Sequence, residues 1–335
     1  MKSFWNNLKK PVMVLAPMAD VTDAAFRRII AKYGKPDVFW TEFVAADGLV
    51  SPGRKVLLKS LEYTKAEKPI VAQLFSAHPE KMYEAAKLVA ELGFDGLDIN
   101  MGCPDRTIEK QCAGAALMKN PKLALEIIKA AKEGIKSAGS DIPVSVKTRL
   151  GYNKDELETW LPILLSAEPA VITVHARTRK EMSNVPARWD RVKAAVAIRN
   201  KLKSETLIFG NGDVLDLADA RKKASETGCD GVMLGRAIFG NPWLFVGQKA
   251  DSRFRIQDSR AERPTTGEKL KVLIEHAKLF EKIFGKTKNF AVMKKHFKAY
   301  VNGFGGAKEL RTKLMLVNNS KEVSKIIAGF LKSKE

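Results

Sequence analysis

Reactive and hydrogen-bonding side chains recur in this chain directly after short apolar, β-branched runs. If these runs are strands of a parallel barrel, the residues that follow them lie on one rim, where barrel enzymes place their active sites. Because such side chains follow nearly every run, they predict a catalytic site. The set comprises Pro17, Met18, Glu42, Gln73, Asn100, Cys103, Lys147, Arg149, His175, Arg177, Asn211, Asp213, Gly235 and Arg236.

Cys103 lies in the segment NMGCP, between a glycine and a proline that mark a turn after the fourth run. We therefore expect its thiol to face the cleft. A thiol with a pKa of about 8.5 is protonated at neutral pH and can act as a general acid. Cys112 and Cys229 lack this setting, and we expect both to be packing residues.

Lys147 ends the run VSVK, and His175 ends the run VITVH. A lysine in this position can become a Schiff-base nucleophile if its pKa falls, or it can remain a cation that faces an electron-rich ring. His175 is either a site residue or a hydrogen-bonded core histidine. It is not accompanied by other metal-binding side chains at ligand spacing, so the sequence predicts no metal site.

Two glycine-containing segments, GNGDV at 210–214 and GR at 235–236, follow the seventh and eighth runs. In eight-stranded barrels these two loops often form a phosphate site. Glycine lets backbone amides approach a phosphate, and Arg236 adds a charged donor. The sequence therefore predicts a phosphate site formed by Asn211, Gly212, Asp213, Gly235 and Arg236.

The elements that must position these residues alternate between strand and helix. Helical spacing occurs at 24–33, 79–92, 121–138 and 218–227. Eight such units in about 240 residues predict a closed (β/α)8 TIM barrel. An open nucleotide-binding sheet would place GxGxxG after the first strand, where this chain reads APMADVT. The predicted strands are 12–15, 38–41, 70–74, 96–100, 144–148, 171–175, 207–210 and 231–234.

After Phe245 the pattern changes. Residues 251–267 are polar and predict a linker between a barrel domain at 1–250 and a small helical domain at 268–335. The net charge is +20, and residues 251–335 hold 20 Lys and Arg against 9 Asp and Glu. Such an excess favours a polyanionic partner, because each cation placed on a phosphate releases counterions. The predicted helices are 268–284, 289–302, 307–316 and 320–333.

The composition is typical of a soluble globular protein. Three cysteines without a CxxC pair disfavour a disulfide framework and a structural zinc site. No apolar run approaches the length of about 20 residues that a membrane span needs, and the N-terminus has no stretch of signal-peptide type. We therefore expect a cytoplasmic enzyme without a membrane association, and a monomer.

A series of motifs in a fixed order covers the barrel: APMADVTD, TEFV, AQLF, DGLDINMGCP, GAALM, VSVKTRLG, VHARTR, FGNGDV and GVMLGRAIFGNPWLF. Together with KHFKAYVNGFGGAKELR in the helical region, they resemble the tRNA-dihydrouridine synthases. The resemblance implies a barrel reductase that uses FMN and converts specific uridines of tRNA to 5,6-dihydrouridine. It also implies NADPH, or NADH, as the reductant and a helical domain that binds tRNA.

The same resemblance implies roles for single residues. Hydride would pass from the reduced FMN to C6 of the uracil, and Cys103 would give a proton to C5. Asn100 would position the base, and Arg149 and Arg177 are further candidates for substrate contact. The residues implied to hold FMN are Pro17, Met18, Ala19, Gln73, Lys147, His175, Asn211, Gly212, Asp213, Gly235 and Arg236. Those expected to face tRNA from the basic helix are Lys294, Lys295, His296 and Lys298.

Two segments depart from the family pattern. HART replaces the usual HGRT, with Ala176 in place of glycine. The segment EMSNVPARWD keeps Trp189 and Asp190 but differs over residues 183–188. We expect these changes to affect substrate contacts of that loop and to leave the flavin site intact.

Two other functions fit part of the pattern. A dihydroorotate or dihydropyrimidine dehydrogenase type of barrel also uses FMN beside a pyrimidine, but it does not explain the basic helical region. Turnover of free uracil or orotate, with none on tRNA, would favour it. A barrel that binds RNA without catalysis would be colourless and would not need Gln73, Lys147, Asn211 and Arg236 at its strand ends.

Overall fold

The computed structural model describes residues 3–246 and 264–333. All eight predicted strands are present, with ends that differ by up to four residues from the prediction. The largest difference is in β2, which begins one residue later than expected and continues through a register shift between Trp40 and Phe43. The strands are Val12–Leu15 (β1), Phe39–Ala45 (β2), Ile70–Phe75 (β3), Gly96–Met101 (β4), Val144–Arg149 (β5), Val171–His175 (β6), Leu207–Asn211 (β7) and Gly231–Leu234 (β8).

The eight strands form one parallel sheet in the order β1-β8-β7-β6-β5-β4-β3-β2. A parallel bridge between Val14 and Val38 brings β1 beside the start of β2, so the sheet curls into a barrel. The predicted TIM-barrel fold is therefore confirmed. Because every strand runs in the same direction, all strand ends that carry predicted site residues lie at one end of the barrel.

Helices follow the strands on the outside of the barrel. Asp23 caps the first helix by accepting a hydrogen bond from the Phe26 amide at 2.9 Å, and Asn120 caps another in the same way. The barrel helices are Ala24–Tyr33 (α1), Ala46–Leu49 (α2), Arg54–Leu61 (α3), Pro79–Glu91 (α4), Arg106–Lys110 (α5), Pro121–Ser137 (α6), Leu157–Ser166 (α7), Trp189–Lys201 (α8) and Leu217–Thr227 (α9).

An aromatic cluster closes the opposite end of the barrel. Trp5, in the 3-10 helix Phe4–Asn7, packs against Trp40 at 5.8 Å and edge-on against Phe209 at 5.6 Å between ring centroids. All three rings are buried. The N-terminal segment thus seals the starts of the strands, and the cavity at the strand ends is reached from the other side.

The C-terminal region is helical, as predicted. Its helices are Thr266–Phe284 (α10), Met293–Tyr300 (α11), Ala307–Leu314 (α12) and Ser320–Lys332 (α13). Most of the predicted linker, residues 251–263, lies outside the described residues, and its last two residues belong to α10 instead. α10 begins early because Thr265 forms a capping box with Glu268. Among the helices of the described ranges, none is long and apolar enough to cross a membrane.

The helical region packs on α1 through an aromatic cluster. Phe26 of α1 stacks on His276 with ring centroids 4.9 Å apart, and His296 lies 4.8 Å from the same ring. Among the described residues, neither ring nitrogen of either histidine has a hydrogen-bond partner, and both side chains are fully buried. Burial, with His296 beside it, holds the pKa of His276 well below its usual value, and burial together with Lys295 lowers the pKa of His296 to about 3.

This cluster predicts a loss of stability in acid. Because the folded-state pKa of each histidine is depressed, the free energy of unfolding has its full value above the unfolded-state pKa of about 6.5. Below that pH the unfolded chain binds protons that the folded chain does not, and the free energy of unfolding falls. Each histidine should then cost about 1.4 kcal/mol of unfolding free energy per pH unit below about pH 6.5. Urea unfolding of the wild type and of a His276→Phe/His296→Phe variant measures the difference. Equal pH slopes for the two proteins would contradict the prediction.

Candidate active site at the strand ends

A pocket of about 250 Å³ opens at the ends of β1, β5, β6, β7 and β8. It gathers most of the residues that the sequence assigned to a cofactor, although they are spread over more than 200 positions of the chain. Arg177, expected to contact substrate, also lies in its wall. The predicted cofactor residues that line it are Pro17, Met18, Lys147, His175, Asn211, Gly212, Asp213, Gly235 and Arg236.

Lys147 is the distinctive group of this pocket. Its side chain points into the pocket from β5, and its ammonium has no hydrogen-bond or ion-pair partner within residues 3–246 and 264–333. Burial, and after it the charge of Arg149, lowers the pKa of Lys147 to about 8. An ammonium group that is costly to bury and has no partner fits an anionic or electron-rich ligand.

The ends of β7 and β8 are joined across the pocket. Asn211 donates from its side-chain amide to the Met233 carbonyl at 2.8 Å. Gly212 has a φ of +124°, and a Cβ added to it would lie 2.8 Å from the Cβ of Ala187. The loop therefore requires glycine at this position, and its backbone lies open to the pocket.

Arg177 and Asp213 organise the same side of the pocket. Arg177 donates from Nε to the Val185 carbonyl at 2.6 Å, and a second nitrogen donates to Nε2 of His175 at 3.1 Å. Its remaining nitrogen pairs with the Asp213 carboxylate, which also pairs with Arg236. Burial would raise the pKa of Asp213, but Arg177, the Ala187 amide and Arg236 outweigh it and lower that pKa. Arg177 thus uses three of its five N–H donors within the protein.

His175 is a neutral acceptor in this arrangement. Burial and the charges of Arg149, Lys147, Arg177 and Arg236 hold its pKa well below the usual value. Because a guanidinium can only donate, the hydrogen bond from Arg177 requires a free lone pair on Nε2. The ring proton therefore lies on Nδ1.

The segment that departs from the family pattern forms part of the pocket wall. Ser183 lines the pocket, the Val185 carbonyl accepts from Arg177, and the Ala187 amide donates to Asp213 at 2.8 Å. Residues 183–188 are therefore part of this wall, and the expectation that the changes in them leave the flavin site intact stays a prediction. Two of these contacts use backbone atoms, which explains how the segment tolerates different side chains.

Cys103 lies on the neighbouring loop after β4, beside the pocket rather than in its wall. Its amide donates to Oδ1 of Asn100 at 2.9 Å, and its carbonyl accepts from the Ala115 amide at 3.0 Å. The side chain is half-buried against the cluster that contains Phe75. Burial is the main cause that raises the pKa of the Cys103 thiol, so the thiol carries its proton at neutral pH.

The other two cysteines differ from each other. Cys229 is buried, as expected for a packing residue. Cys112 is exposed and has a φ of +57°, so the prediction of a packing role for it is wrong. It lies in the turn after α5, where the chain reverses toward the 3-10 helix Gly114–Lys119 and no core is available to cover it.

Four further predicted residues lie around this centre. Gln73 is fully buried inside the barrel, and Asn100 is 6% exposed. Arg149 donates to the Gly102 carbonyl at 2.8 Å and to the Met182 carbonyl at 2.9 Å, so it supports the loop of Cys103. Ala19 is exposed and does not line the pocket.

The sequence did not reveal Lys288, which reaches the barrel rim from the helical region. Its ammonium lies 3.1 Å from Oε2 of Glu42, in the middle of β2, and 3.2 Å from Asp20 Oδ1. Glu42, which was predicted to line the rim, is therefore committed to this ion pair. Lysines are frequent in this region, and only the three-dimensional structure separates Lys288 from the others.

The basic helix has the expected lysines on its surface. Lys295 and Lys298 of α11 are exposed, and Lys294 is partly exposed. His296 is buried at the contact with α1, so the expectation that it faces tRNA is wrong. The reason is helical spacing, because His296 shares the apolar face of α11 with Met293, Phe297 and Tyr300.

The family model described as dihydrouridine synthase (Dus) matches residues 14–334. The chain belongs to the dihydrouridine synthase family. It is 36% identical over 332 residues to a probable tRNA-dihydrouridine synthase of Staphylococcus epidermidis, covering 98% of this chain and 96% of the relative. It is 37% identical to probable tRNA-dihydrouridine synthase 2 of Bacillus subtilis, covering 98% and 97%. The predicted family is thereby confirmed, and with it an oxidoreductase that uses a flavin.

Solved structures support the fold alone. Histamine dehydrogenase from Rhizobium sp. 4-9 aligns with a TM-score of 0.54 at 14% identity over 94% of this chain and 61% of that one. A complex of 2-naphthoyl-CoA reductase aligns with a TM-score of 0.52 at 15% identity over 72% of this chain and 52% of that one. In the part of the chain that the structure describes, no group of three or more His, Cys, Asp or Glu side chains is placed to hold a metal ion.

The depressed pKa of Lys147 predicts that this residue lowers the free energy of unfolding of the protein. In a Lys147→Met variant the unfolding free energy should rise by about 1–3 kcal/mol at neutral pH, because an ammonium that is disfavoured in the folded state is removed. The gain should shrink as the pH rises from about 8 to about 10.5, where the lysine becomes neutral in both states. Denaturant unfolding measures it, with the exposed Lys122→Met as the control. A less stable Lys147→Met protein at neutral pH would contradict this prediction.

Proposed function

We propose that this protein reduces the C5=C6 bond of uridines in tRNA, with FMN bound in the strand-end pocket and NADPH, or NADH, as the reductant. The observation that carries the proposal is the neighbouring placement of two groups at the barrel mouth. Lys147 provides an unpartnered ammonium in the pocket, and Cys103 provides a protonated thiol on the adjacent loop. Family membership supplies the reaction class.

The residues of the pocket fit FMN. The backbone of Gly212 and Gly235 lines the pocket and, together with Arg236, suits a phosphate, since glycine lets amides approach it and a guanidinium adds charge. Lys147 suits the polar edge of the ring, where it would hydrogen-bond and balance negative charge. Pro17 and Met18 would border the ring, as part of the first loop with Ala19. His175 would complete the polar contacts, whereas Gln73, which is bonded to Asp98 and Asn100, lies below the pocket.

The reaction divides between two sides of the site. When bound and reduced, the flavin supplies the hydride that adds to C6 of the uracil. Cys103 then donates its proton to C5, so that the ring gains two hydrogens and the thiolate left behind recovers a proton from solvent. The raised pKa of the thiol suits this role, because a general acid must hold its proton until it is needed. Asn100 holds the loop of Cys103 and would position the base.

The substrate class follows from charge and from the relatives. Both relatives named above carry tRNA in their names. A uracil is inaccessible while it is stacked in a folded RNA, so it must be splayed out to reach the barrel mouth. Lys294, Lys295 and Lys298 would hold the RNA backbone while this happens, with the protein acting as a monomer. Arg149 and Arg177 would act from the walls of the site.

A comparison of cells with and without the gene tests the proposal. Dihydrouridine in their tRNA is mapped by sequencing at nucleotide resolution after a chemical treatment that marks reduced uridines. We expect at least one tRNA position to lose dihydrouridine without the gene and to regain it when the gene is restored. Identical maps would contradict the proposal.

Removal of the proton donor gives a sharper expectation. A Cys103→Ala variant should keep its flavin and its affinity for tRNA, but its rate of uridine reduction should fall by roughly 10²–10⁴-fold, the usual contribution of general acid catalysis. Single-turnover formation of dihydrouridine measures the rate. Cys112→Ala is the matched control, since this exposed thiol lies outside the site. Full activity of Cys103→Ala would exclude Cys103 from the mechanism.

The basic face of α11 predicts a change in salt dependence. Replacement of Lys294, Lys295 and Lys298 by glutamine should weaken tRNA binding and lower the slope of log affinity against log salt by about one unit for each lysine–phosphate ion pair that is removed. Filter binding over a range of salt concentrations measures the slope. The control carries the same charge change on the exposed side of α6, at Lys122, Lys129 and Lys136. Equal slopes for the two triple variants would place the RNA elsewhere.

A further inference from the structure

Three polar side chains occupy one level of the barrel interior below the loop of Cys103. Gln73 of β3 pairs in register with Asp98 of β4, and Asp98 pairs with Ser145 of β5. None of them is more than 2% exposed. Barrel interiors are usually filled by branched apolar side chains, and a buried polar group is costly unless it is hydrogen-bonded. A polar layer at this level therefore calls for a functional reason.

The layer is joined to the loop by a continuous chain of hydrogen bonds. Gln73 donates from Nε2 to Asp98 Oδ2 at 2.6 Å, and Ser145 donates to Asp98 Oδ1 at 2.6 Å. Asn100 donates from Nδ2 to Gln73 Oε1 at 3.0 Å. Oδ1 of Asn100 then accepts from the backbone amides of Gly102 at 3.1 Å and Cys103 at 2.9 Å.

The direction of this chain is fixed at both ends, because an ionised Asp98 can only accept and the backbone amides of Gly102 and Cys103 can only donate. An amide side chain can donate or accept at either position, depending on how it is rotated, whereas an ionised carboxylate can only accept. Asp98 therefore turns the NH2 group of Gln73 toward itself, which leaves the Gln73 oxygen for the NH2 group of Asn100. The Asn100 oxygen is then left to face the backbone of the loop.

The charge state of Asp98 agrees with this role. Burial raises its pKa to about 6, against the opposing effects of Ser145, Gln73 and Lys147. The group is thus mainly ionised at neutral pH, and the acceptor-only end of the chain is maintained.

We propose that Asp98 is a positioning residue for the proton donor, because it anchors Gln73, which holds Asn100, and Asn100 in turn holds the Gly102–Cys103 backbone in place. The inference rests on the proposed function. It assigns a role in the reaction to a residue that lies deep inside the barrel and does not reach the pocket.

Variants at position 98 separate orientation from packing. Asp98→Ala and Asp98→Val both remove the acceptor that anchors Gln73, so Gln73 can shift and its support of Asn100 is weakened. Asp98→Asn keeps an oxygen that can face Gln73, while its NH2 group can donate to the Ser145 hydroxyl. Thr173→Val is the matched control, since Thr173 is fully buried in the same barrel interior and its hydroxyl has no partner among the described residues.

The first measurement compares the two half-reactions of the flavin-loaded proteins. Rapid mixing with NADPH gives the rate of flavin reduction, and rapid mixing of the reduced protein with tRNA gives the rate of uridine reduction. In Asp98→Ala and Asp98→Val, uridine reduction should fall at least about tenfold more than flavin reduction, because a misplaced donor slows only the step that uses it. Asp98→Asn should recover most of this loss, and Thr173→Val should match the wild type.

The second measurement needs neither flavin nor RNA. Iodoacetamide labelling of the flavin-free proteins, followed by mass spectrometry, gives the rate at Cys103 relative to the exposed Cys112 in the same chain. Release of the loop should raise this ratio by about threefold or more in the Ala and Val variants, because a less buried thiol ionises and reacts more readily. The ratio should stay at the wild-type value in Asp98→Asn.

The outcomes distinguish the inference from the proposed function. A wild type that reduces no uridine contradicts the proposed function, and the labelling ratio still tests the hydrogen-bonded chain. Equal losses in both half-reactions, an unchanged labelling ratio, or an Asp98→Asn protein as slow as Asp98→Ala would each overturn the positioning role. Either apolar variant is sufficient, so a folding failure of one leaves the test intact.

Discussion

The half-buried ammonium of Lys147, which has no hydrogen-bond or ion-pair partner among the described residues, is the constraint on which the rest of this site depends. Lys147 is held among the cations Arg149, Arg177 and Arg236 at the mouth of the barrel, with its pKa lowered to about 8. Such an accumulation of positive charge is unfavourable unless a negative ligand joins it. The protein limits the cost by keeping His175 neutral and by placing Asp213 between two of the arginines. The electrostatics therefore favour an anionic cofactor before any substrate arrives.

In the proposed mechanism, the strand order of the barrel places hydride and proton delivery next to each other. Asn100 and Lys147 are register neighbours on β4 and β5, so the loop that carries the thiol and the ammonium that faces the pocket begin from the same level of the sheet. Arg149 connects them, because it lies two residues after Lys147 and donates to the Gly102 carbonyl. Parallel neighbouring strands thus solve the problem of bringing two chemically different groups to one uracil.

Much of this arrangement follows from sequence. Each predicted strand is present because an apolar run followed by a polar residue is the pattern that a buried parallel strand imposes. Since all strands point the same way, the residues after them had to converge, and nine of the predicted cofactor residues do line one pocket. The helical region was equally clear, because its apolar spacing changes to the helical period after the linker.

Other features depend on contacts between segments far apart in the chain, which a single sequence does not display. The extension of β2 past Thr41 arises from a register shift against β3. His296 belongs to a lysine-rich helix, yet its burial depends on Phe26, 270 residues earlier. The backbone contacts of residues 183–188 leave no trace in residue type. Asp98 carries a weak signal, since it stands two positions before Asn100 and shares its side of the strand, but its partners are on other strands.

A crystal structure of the protein with its flavin bound tests the central claim most directly. We predict an FMN in the pocket at the ends of β7 and β8, its phosphate near Gly212, Gly235 and Arg236, and Lys147 within hydrogen-bonding distance of the ring. We also predict that the Cys103 thiol faces the open side of the same ring. A flavin bound elsewhere, or a thiol walled off from it, would contradict the claim.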